Sequence, residues 1–502
     1  MASSADLAAG LQLDVDPDAC SVGDRVDLML GSRSGPCNQH FQLEDRLPGP
    51  GSALESMMWP FRLWESMQKQ GQRYFGIDFS ARAHERLQQG LQLTTDYSGI
   101  GCPEEALEKL VFAAKHMGAG EADVSQVHCK RAGDLTMHCR QILMSHDGSF
   151  RPECVHGNML DRCPEDLLSL LTNMLAQARE IEQKQGPKRK RSNSSVELGQ
   201  KLVHEMSALV TKTMSQEVPS AFCFKHKKQC PVIHHALPGF SGLRVHVAGV
   251  NCYDWSSMGQ KRGWLGDSTL PFVQWLSERH RALEDIVVVE CVLGFDSDTL
   301  AELTWEEYDM FVLRVSPTLF GEPVERQRKY MILLRRDRLR WQECIALAGV
   351  EATFNRIFAR TLRMVGHDKF RAPKEIVAQH AANLAQRRNL PPARSSGAPW
   401  SFFLLASPAT RNAINLHERA LASREGSATP AQKRLFIANL SQHPNFMPAT
   451  KLLVPTLLRS SKLWLFSKKR WPLPMEVLEV QGFNLFGGAD SMESPSSAHH
   501  EE

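Results

Sequence analysis

This sequence contains no uncharged apolar run of about 18 residues, the minimum for a membrane-spanning helix. No basic segment followed by an apolar stretch opens the chain, so we expect no secretory signal. Cysteine is sparse too, because 12 residues in a chain of 502 do not make the dense framework of a small disulfide-bonded protein. We therefore expect mostly free thiols in a reducing compartment. Apolar residues form 42% of the chain, enough for a large core and two or three domains.

Charge is nearly balanced overall, at +3, but it is unevenly distributed. Residues 326–371 carry 12 Lys and Arg against 4 Asp and Glu, and the excess continues through Arg387, Arg388, Arg394 and Arg411. A solvated helical face is the ordinary explanation of such a run, whereas its length favours a surface that binds a polyanion. A second basic segment, PKRKRS at 187–192, is typical of a nuclear import signal, with a flexible basic loop as the alternative.

Short apolar runs alternate with helical stretches from residue 91 onward. Four runs have the length of strands and are found at 91–95, 243–249, 286–292 and 329–334. The third, IVVVECV, is apolar almost throughout, as expected for a central parallel strand. Helical patterns lie between them, at 103–117, 164–183 and 269–284. This alternation predicts an α/β protein with an open, mostly parallel sheet.

Composition shifts divide the chain into segments. We expect a partly disordered N-terminal extension over 1–85, with short helices in 53–90, and a catalytic domain over 88–344 with an exposed basic insertion at 183–197. The Arg-rich, loop-rich stretch 345–445 suits a smaller domain. The remaining boundaries are a return segment to the catalytic domain (446–488) and a disordered tail (489–502).

Three polar segments fall at or just after the ends of predicted strands: the loop Ser98-Gly99-Ile100-Gly101, the loop that holds Cys252, and Glu290. Ligands of doubly wound sheets bind beyond the carboxyl ends of the strands, so these segments should meet on one edge. A glycine loop alone also suits an ordinary tight turn, and a free cysteine is commonly a small buried apolar residue. Cys252 differs because its surroundings, GVNCYDWSSMG, are polar and rich in glycine.

Five motifs follow one another along the chain: DYSGIG (96–101), NCYDWSSMG (251–259), ECV (290–292), PVERQRKY (323–330) and EVQGF (479–483). In this order and spacing they resemble the cytosine-5 DNA methyltransferase family, whose members transfer a methyl group from S-adenosylmethionine to carbon 5 of cytosine. The resemblance covers most of residues 90–485. It implies the methyltransferase type of α/β fold, and it makes 345–445 the target-recognition domain.

The resemblance also implies roles for single residues. Cys252 would attack carbon 6 of a flipped cytosine, Glu290 would hold ring nitrogen 3, and Arg326 and Arg328 would point into the same site; a surface or phosphate-contacting pair is the alternative for these two arginines. The expected contacts of S-adenosylmethionine are Tyr97, Ser98, Gly99, Gly101, Asn158 and Asn251.

Departures from the family pattern leave alternatives open. Asn251 replaces the family's Pro, Cys291 replaces an Asn, Val324 replaces a Gln, and no Gly-Asn-Ser-Val segment follows Phe483. That last segment completes the cofactor pocket in the family, so it is either absent here or replaced by another part of the chain. We expect a nuclear DNA cytosine-5 methyltransferase. RNA methylation and a catalytically degenerate nucleic-acid-binding protein are the alternatives.

One cluster lies outside the motifs. CFKHKKQC at 223–230, with His234 and His235 beyond it, has ligand types at metal-like spacing. Its spacing matches no standard zinc finger, and a structural zinc on Cys223, His226, Cys230 and His234 remains an alternative. We assign no metal to the active site.

Overall fold

The computed structural model describes residues 46–117, 127–146, 150–184, 193–214, 220–234, 240–341, 349–390, 401–424, 435–446, 449–450, 452–458 and 461–483. The expected import signal at 187–192, the first 45 residues, Arg394, His235 and the expected disordered tail at 489–502 lie outside this part.

Thirteen strands occur in the described residues: β1 (Leu47–Pro48), β2 (Leu91–Asp96), β3 (Val127–Gly133), β4 (Cys154–His156), β5 (Ser220–Cys223), β6 (Lys228–Pro231), β7 (Leu243–Gly249), β8 (Ile286–Cys291), β9 (Tyr308–Val315), β10 (Arg328–Arg335), β11 (Arg360–Thr361), β12 (Ile437–Asn439) and β13 (Leu463–Leu465). Nine of them form one sheet in the order β6-β5-β4-β3-β2-β7-β8-β10-β9. The five central strands, in the order β4-β3-β2-β7-β8, run parallel. At one edge β10 is antiparallel to its neighbours β8 and β9, and at the other edge β5 is antiparallel to its neighbours β4 and β6. The prediction of an open, mostly parallel α/β sheet is confirmed.

Strand order reverses between β2 and β7. The chain moves from β2 outward through β3 and β4, then returns to pair β7 with the other side of β2, where Asp96 lies opposite Ala248. Connections on the two sides of such a point leave in opposite directions and open a crevice at the carboxyl ends of the strands. The fold therefore places a binding crevice where the chain leaves β2 and β7.

The described helices are α1 (Ala53–Met57), α2 (Trp59–Phe75), α3 (Phe79–Gln88), α4 (Cys102–His116), α5 (Met137–Ser145), α6 (Glu165–Lys184), α7 (Asn193–Met214), α8 (Thr269–Ala282), α9 (Ser297–Thr304), α10 (Val350–Phe358), α11 (Lys374–Arg387), α12 (Phe402–Leu405), α13 (Pro408–Arg424) and α14 (Pro474–Val480). None of them combines the length and the apolar character that crossing a membrane requires. Because α6 runs to Lys184 and α7 begins at Asn193, both ends of the insertion expected at 183–197 are helical.

The largest core lies between the sheet and helices α6, α7 and α8. Trp275 and Val289 are fully buried there, as are Met206 on α7 and Leu171 on α6. The apolar run of β8 was predicted to be covered on both faces. Val287 and Val289 on one face are fully buried, whereas Ile286, Val288 and Glu290 on the other face are half-buried, so the coverage is complete on one face only.

The described part of the N-terminal extension is folded. Helix α2 has a proline in its first turn and ends at Gly76, whose φ of 64° suits glycine. Its Trp64 is buried and donates a hydrogen bond from its indole N–H to the carbonyl of Leu110 on α4. Strand β1 pairs with β11, so this segment also contacts the chain beyond residue 349.

A second group of cores is built by residues beyond 366. Phe402, Leu405 and Ile414 pack with Trp464 and Leu473. The ion pair of Arg470 with Glu476, at 2.6 Å, is buried in the same region. The segment 446–488, which we expected to return to the catalytic domain, contributes Trp464 and Leu473 to this core. It also contacts residues before 345, since the N–H of Glu325 donates to the carbonyl of Val454 at 2.9 Å and Lys109 donates to the carbonyl of Gly482 at 2.9 Å. The boundary expected at 445 stays a prediction.

Candidate active site

The loop after β2 exposes its backbone to the crevice. Tyr97, Gly99 and Gly101 have φ values of 54°, 57° and 92°. A Cβ added at Gly99 would meet no atom within 4 Å, so the backbone here faces open space. The N–H of Gly99 donates to Asp134 Oδ2 at 2.9 Å, which ties the loop to the residue after β3. Such a loop lets a ligand approach the main chain closely.

A hydrogen-bond network supports this loop from below. Ser98 Oγ bonds to both the N–H and the carbonyl of Gly133, at 3.0 and 3.1 Å, and lies 2.6 Å from Thr95 Oγ1. Thr95 also bonds to Glu104 Oε1 at 2.5 Å. Burial raises the pKa of Glu104 to about 7, although the hydrogen bond from Thr95 opposes the shift. The hydroxyl of Ser98, which we expected to contact the cofactor, is therefore engaged inside the protein.

A fully buried ion cluster lies behind the loop. Asp96, the last residue of β2, makes a bidentate contact with Arg131 at 2.7 and 2.8 Å and a third bond with Arg162 at 3.1 Å. Arg162 also bonds Glu278 on α8 at 3.0 Å. Burial raises the pKa of the Asp96 carboxyl, but the charges of Arg131 and Arg162 outweigh it and hold this pKa well below its usual range. The cluster fixes the point from which the glycine loop departs.

Cys252 lies on an exposed turn beyond β7. Its carbonyl accepts hydrogen bonds from the N–H groups of Trp255 and Ser256, at 3.0 and 2.8 Å. Trp255 anchors the turn by packing on Trp264 and Phe295, with ring centroids 4.9 and 5.0 Å away. Cys252 itself is exposed and forms no disulfide. The turn is therefore held in place by the packing of Trp255 and leaves Cys252 exposed to solvent.

Glu290 ends β8 beside this turn. It is the register partner of Gly249, which lies three residues before Cys252. Glu290 Oε1 accepts Arg328 Nε at 2.7 Å and Arg326 Nη2 at 3.4 Å. The second oxygen, Oε2, lies 3.5 Å from where a Cβ on Gly249 would stand. The structure thus brings the thiol loop, the carboxylate and both arginines to one edge of the sheet.

A cleft with a volume of about 1500 Å³ opens over this edge. Its wall includes Ser98, Gly99, Glu290, Arg326 and Arg328. Cys252 is not part of that wall. Asn251 and Asn158 are also outside it. Asn251 accepts the N–H of Tyr253 at 3.0 Å, and Asn158 accepts that of Leu160 at 3.2 Å, so each side chain caps its own turn.

Other parts of the cleft wall come from elements that the motifs did not indicate. Trp59, Leu63 and Met67 on α2 line it, and their spacing of four residues places them on one helical face. The smaller domain adds Trp471 and Pro472. The sequence signal for α2 was the apolar segment MMWPFRLWESM, which predicted a short helix packed on the main domain and gave no indication of a cleft.

The basic stretch 326–371 is largely neutralised. Eight of its cationic side chains pair with carboxylates at 4.0 Å or less: Arg326, Arg328, Arg335, Arg336, Arg338, Arg360, Lys369 and Arg371. Most of these carboxylates, such as Glu65 and Glu479, are far away in sequence. Much of the local charge excess is therefore paired with carboxylates, and the polyanion-binding surface inferred from the sequence stays a prediction.

The candidate metal ligands also differ from expectation. Cys223, His226 and Cys230 do cluster, but their fourth member is Cys154 on β4 and not His234. Cys154 is 69 residues before Cys223, so no local spacing connected them. His234 lies beyond the end of β6, outside this group.

No protein-family model and no curated protein matches this chain. Solved structures do match at low identity, and three of them are methyltransferases. A DNA modification methyltransferase encoded within an E. coli prophage is 12% identical with a TM-score of 0.26, covering 51% of this chain and 50% of that one. The S. pombe Dnmt2 methyltransferase is 13% identical with a TM-score of 0.26, covering 51% and 55%. The Entamoeba histolytica methyltransferase EhMeth is 8% identical with a TM-score of 0.24, covering 50% and 56%.

These alignments span about half of each matched chain. At such TM-scores the likeness adds nothing to the functional argument, which depends on this chain's own strand order and site geometry.

Proposed function

We propose that this protein is an S-adenosylmethionine-dependent cytosine-5 methyltransferase acting on nucleic acid, with DNA as its substrate. The observation that supports this most is the arrangement around Glu290. A carboxylate held by Arg326 and Arg328 lies opposite Gly249, three residues before an exposed thiol, on the edge of a crevice that begins at a glycine loop.

The chemistry follows from these groups. Carbon 6 of cytosine accepts a nucleophile poorly, because the electrons it receives must be stabilised elsewhere in the ring. The thiolate of Cys252 forms a bond to carbon 6, and the displaced electron pair moves toward ring nitrogen 3. Glu290 shares a proton with that nitrogen, while the arginines on Oε1 leave Oε2 for this contact. Carbon 5 then accepts a methyl group, loses its proton to a base, and the carbon–sulfur bond breaks.

S-adenosylmethionine supplies an electrophilic methyl group when bound. The cleft suits such a group because it combines open main chain at Gly99 with apolar side chains on α2. The indole N–H of Trp59 has no hydrogen-bond partner within the described part of the chain. We propose that α2 closes the cofactor side of the cleft.

The α2 proposal predicts that Trp59→Ala weakens binding of S-adenosylmethionine by about tenfold or more, since one lost aromatic contact costs about 1–3 kcal/mol. Titration calorimetry measures the affinity. Trp305→Ala is the matched control, because Trp305 is exposed near Arg336, on another surface. Equal losses in both variants would contradict the placement of the cofactor beside α2.

Nucleic acid is favoured as substrate because a flipped base must reach a thiol that lies on an open surface. Lys261 and Arg262 are exposed on the Cys252 loop, and Arg388 and Lys462 are exposed along the cleft. None of the four makes an ion pair with another described residue. Replacing Lys261 and Arg262 by alanine should weaken binding and lower the slope of log affinity against log salt by about 1 per lost phosphate contact.

The decisive experiment uses DNA and RNA oligonucleotides that carry 5-fluorocytosine. Fluorine on carbon 5 does not leave as a proton does, so the carbon–sulfur bond persists as a covalent complex visible on a denaturing gel. We expect a cofactor-dependent complex with DNA for the wild type and for Cys163→Ala, and none for Cys252→Ala. Glu290→Gln should slow methyl transfer by about 10²–10⁴-fold.

The alternatives are outcomes of the same experiment. A complex with RNA alone would replace the DNA assignment. Binding without any complex or methyl transfer would favour a degenerate nucleic-acid-binding protein, which the departures at Asn251 and Cys291 leave open. Nuclear localisation through residues 187–192 stays a prediction, which a fluorescent fusion with and without that segment would test.

A further inference from the structure

A compact group of three thiols and one imidazole lies at the edge of the sheet, away from the cleft. Cys154, Cys223 and Cys230 are 6%, 0% and 5% exposed and pack on one another, while His226 is on the surface of the turn between β5 and β6. All three cysteines are free thiols, although the ligand atoms of the four residues lie within 4.8 Å of one another.

The distances within this group are those of a coordination shell. His226 Nδ1 lies 3.6, 3.5 and 3.4 Å from the sulfurs of Cys154, Cys223 and Cys230. A tetrahedral zinc with sulfur at about 2.3 Å and nitrogen at about 2.05 Å separates those ligand atoms by about 3.6 Å. One imidazole nitrogen cannot bond three thiols at once through its single lone pair or proton. A central ion accounts for the equal distances, whereas a hydrogen-bonded cluster does not.

We propose that Cys154, Cys223, His226 and Cys230 bind a structural zinc ion. Three thiolates and one neutral imidazole around Zn²⁺ leave a net charge of −1, and the thiols release three protons on binding. Lys225, Lys227 and Lys228 surround the ligands in sequence and offset that charge. The N–H of Val155 donates to Cys223 Sγ at 3.4 Å, a contact that also stabilises a thiolate.

The metal would have a clear structural task. Among the residues that the structure describes, the β5–β6 hairpin joins the sheet through one register pair, His156 with Cys223. A single pair is a weak attachment for a hairpin at a sheet edge. Zinc would link both hairpin strands to β4, whose next residues are Gly157 and Asn158. Phe224 reinforces this junction, since its N–H donates to Val155 at 2.8 Å and its ring lies 4.2 Å from the Arg140 guanidinium.

The test measures metal and not activity, so it is independent of the proposed methyl transfer. The full chain, purified without added metal chelators, should carry about one zinc per chain by mass spectrometry of the elements. A mercurial that caps thiols should release this zinc to a chromogenic chelator. Cys223→Ser should lose it, whereas Cys163→Ala, which removes a half-buried cysteine outside the group, should keep it.

Cobalt substitution keeps the proposal testable if Cys223→Ser does not fold. Cobalt(II) in the wild type should give the intense ligand-field absorption of a four-coordinate thiolate site. His226→Cys offers four sulfurs in place of three, so it should retain the ion and shift the thiolate charge-transfer absorption. Wild-type protein that neither carries zinc nor takes up zinc or cobalt would overturn the proposal. A disulfide between any two of the three cysteines, found by mass spectrometry after alkylation of free thiols, would also overturn it.

Discussion

Glu104 provides the most direct test of the network beneath the glycine loop. It is fully buried in the first turn of α4, where Thr95 bonds to one oxygen and the other has no partner among the described residues. Replacing it by glutamine keeps the shape and the hydrogen bond to Thr95 but removes the ionisable group. The expected effect depends on pH, because the wild-type carboxyl is neutral at low pH and charged at high pH.

The magnitude follows from the pKa, which burial raises from 4.5 to about 7. Each pKa unit corresponds to about 1.4 kcal/mol, so ionising Glu104 in the native state costs about 3 kcal/mol more than in the unfolded state. A carboxyl with a raised native pKa contributes its full stability below the unfolded value. That contribution falls between about pH 4.5 and 7 and is gone above about pH 7.

Urea-unfolding midpoints of the wild type and Glu104→Gln, compared at each pH from 4.5 to 9, measure this effect. Relative to the wild type, the free energy of unfolding of Glu104→Gln should rise by about 3 kcal/mol as the pH increases over this range, and the difference should become constant above pH 7. Glu105→Gln is the control, since Glu105 is partly exposed and paired with Lys109 at 2.9 Å. A constant difference between wild type and Glu104→Gln at all pH values would refute the description of a buried neutral carboxyl.

Further predictions concern the ion cluster and the loop. Gly133→Ala puts a Cβ 2.7 Å from Asp96 Oδ1 and 2.9 Å from Arg162 Nη2, so thermal unfolding should show a loss of about 3 kcal/mol. The Cβ added by Gly99→Ala meets no atom, so the free energy of unfolding should fall by only about 1–2 kcal/mol because of the positive φ. Calorimetry should nevertheless show weaker cofactor binding, and an unchanged affinity would contradict the role of the loop. Asp96→Asn leaves Arg131 and Arg162 without the carboxylate that they share, so the free energy of unfolding should fall by about 3–5 kcal/mol. Because the pKa of Asp96 is held low, this loss should appear above about pH 4 and shrink as the pH falls further.

The sequence predicted the regular elements that local pattern controls. The strand expected at 243–249 is β7, and the helices expected at 103–117 and 164–183 are α4 and α6 within a residue or two. Proline at the start of α4 and the acidic side chains behind it are local signals. Strands β4, β5 and β6 were harder to predict, because they are three or four residues long and too short to show a period.

The sequence could not give the partners of charged and ligating side chains. The arginines between 326 and 371 looked like a polyanion surface because their carboxylate partners are encoded elsewhere. Arg360, for example, contacts Glu65, almost 300 residues away, and Arg371 contacts Glu479. Counting charge along the chain measures composition, whereas electrostatic potential depends on distances between side chains that only the fold determines.

The same reasoning explains why the cleft needed the structure. Residues at the carboxyl ends of parallel strands are predictable from the sequence, because each predicted strand is followed by its own loop at the same edge of the sheet. This rule grouped Glu290 with the loops of Gly99 and Cys252. The rest of the cleft wall has no such rule. Trp59 lines the cleft, while Trp64, five residues later on α2, donates a hydrogen bond to the carbonyl of Leu110 on α4. Helix α2 lies before the first strand of the nine-stranded sheet, and its packing on α4 places Trp59 in the wall of the cleft, a position that chain order does not indicate.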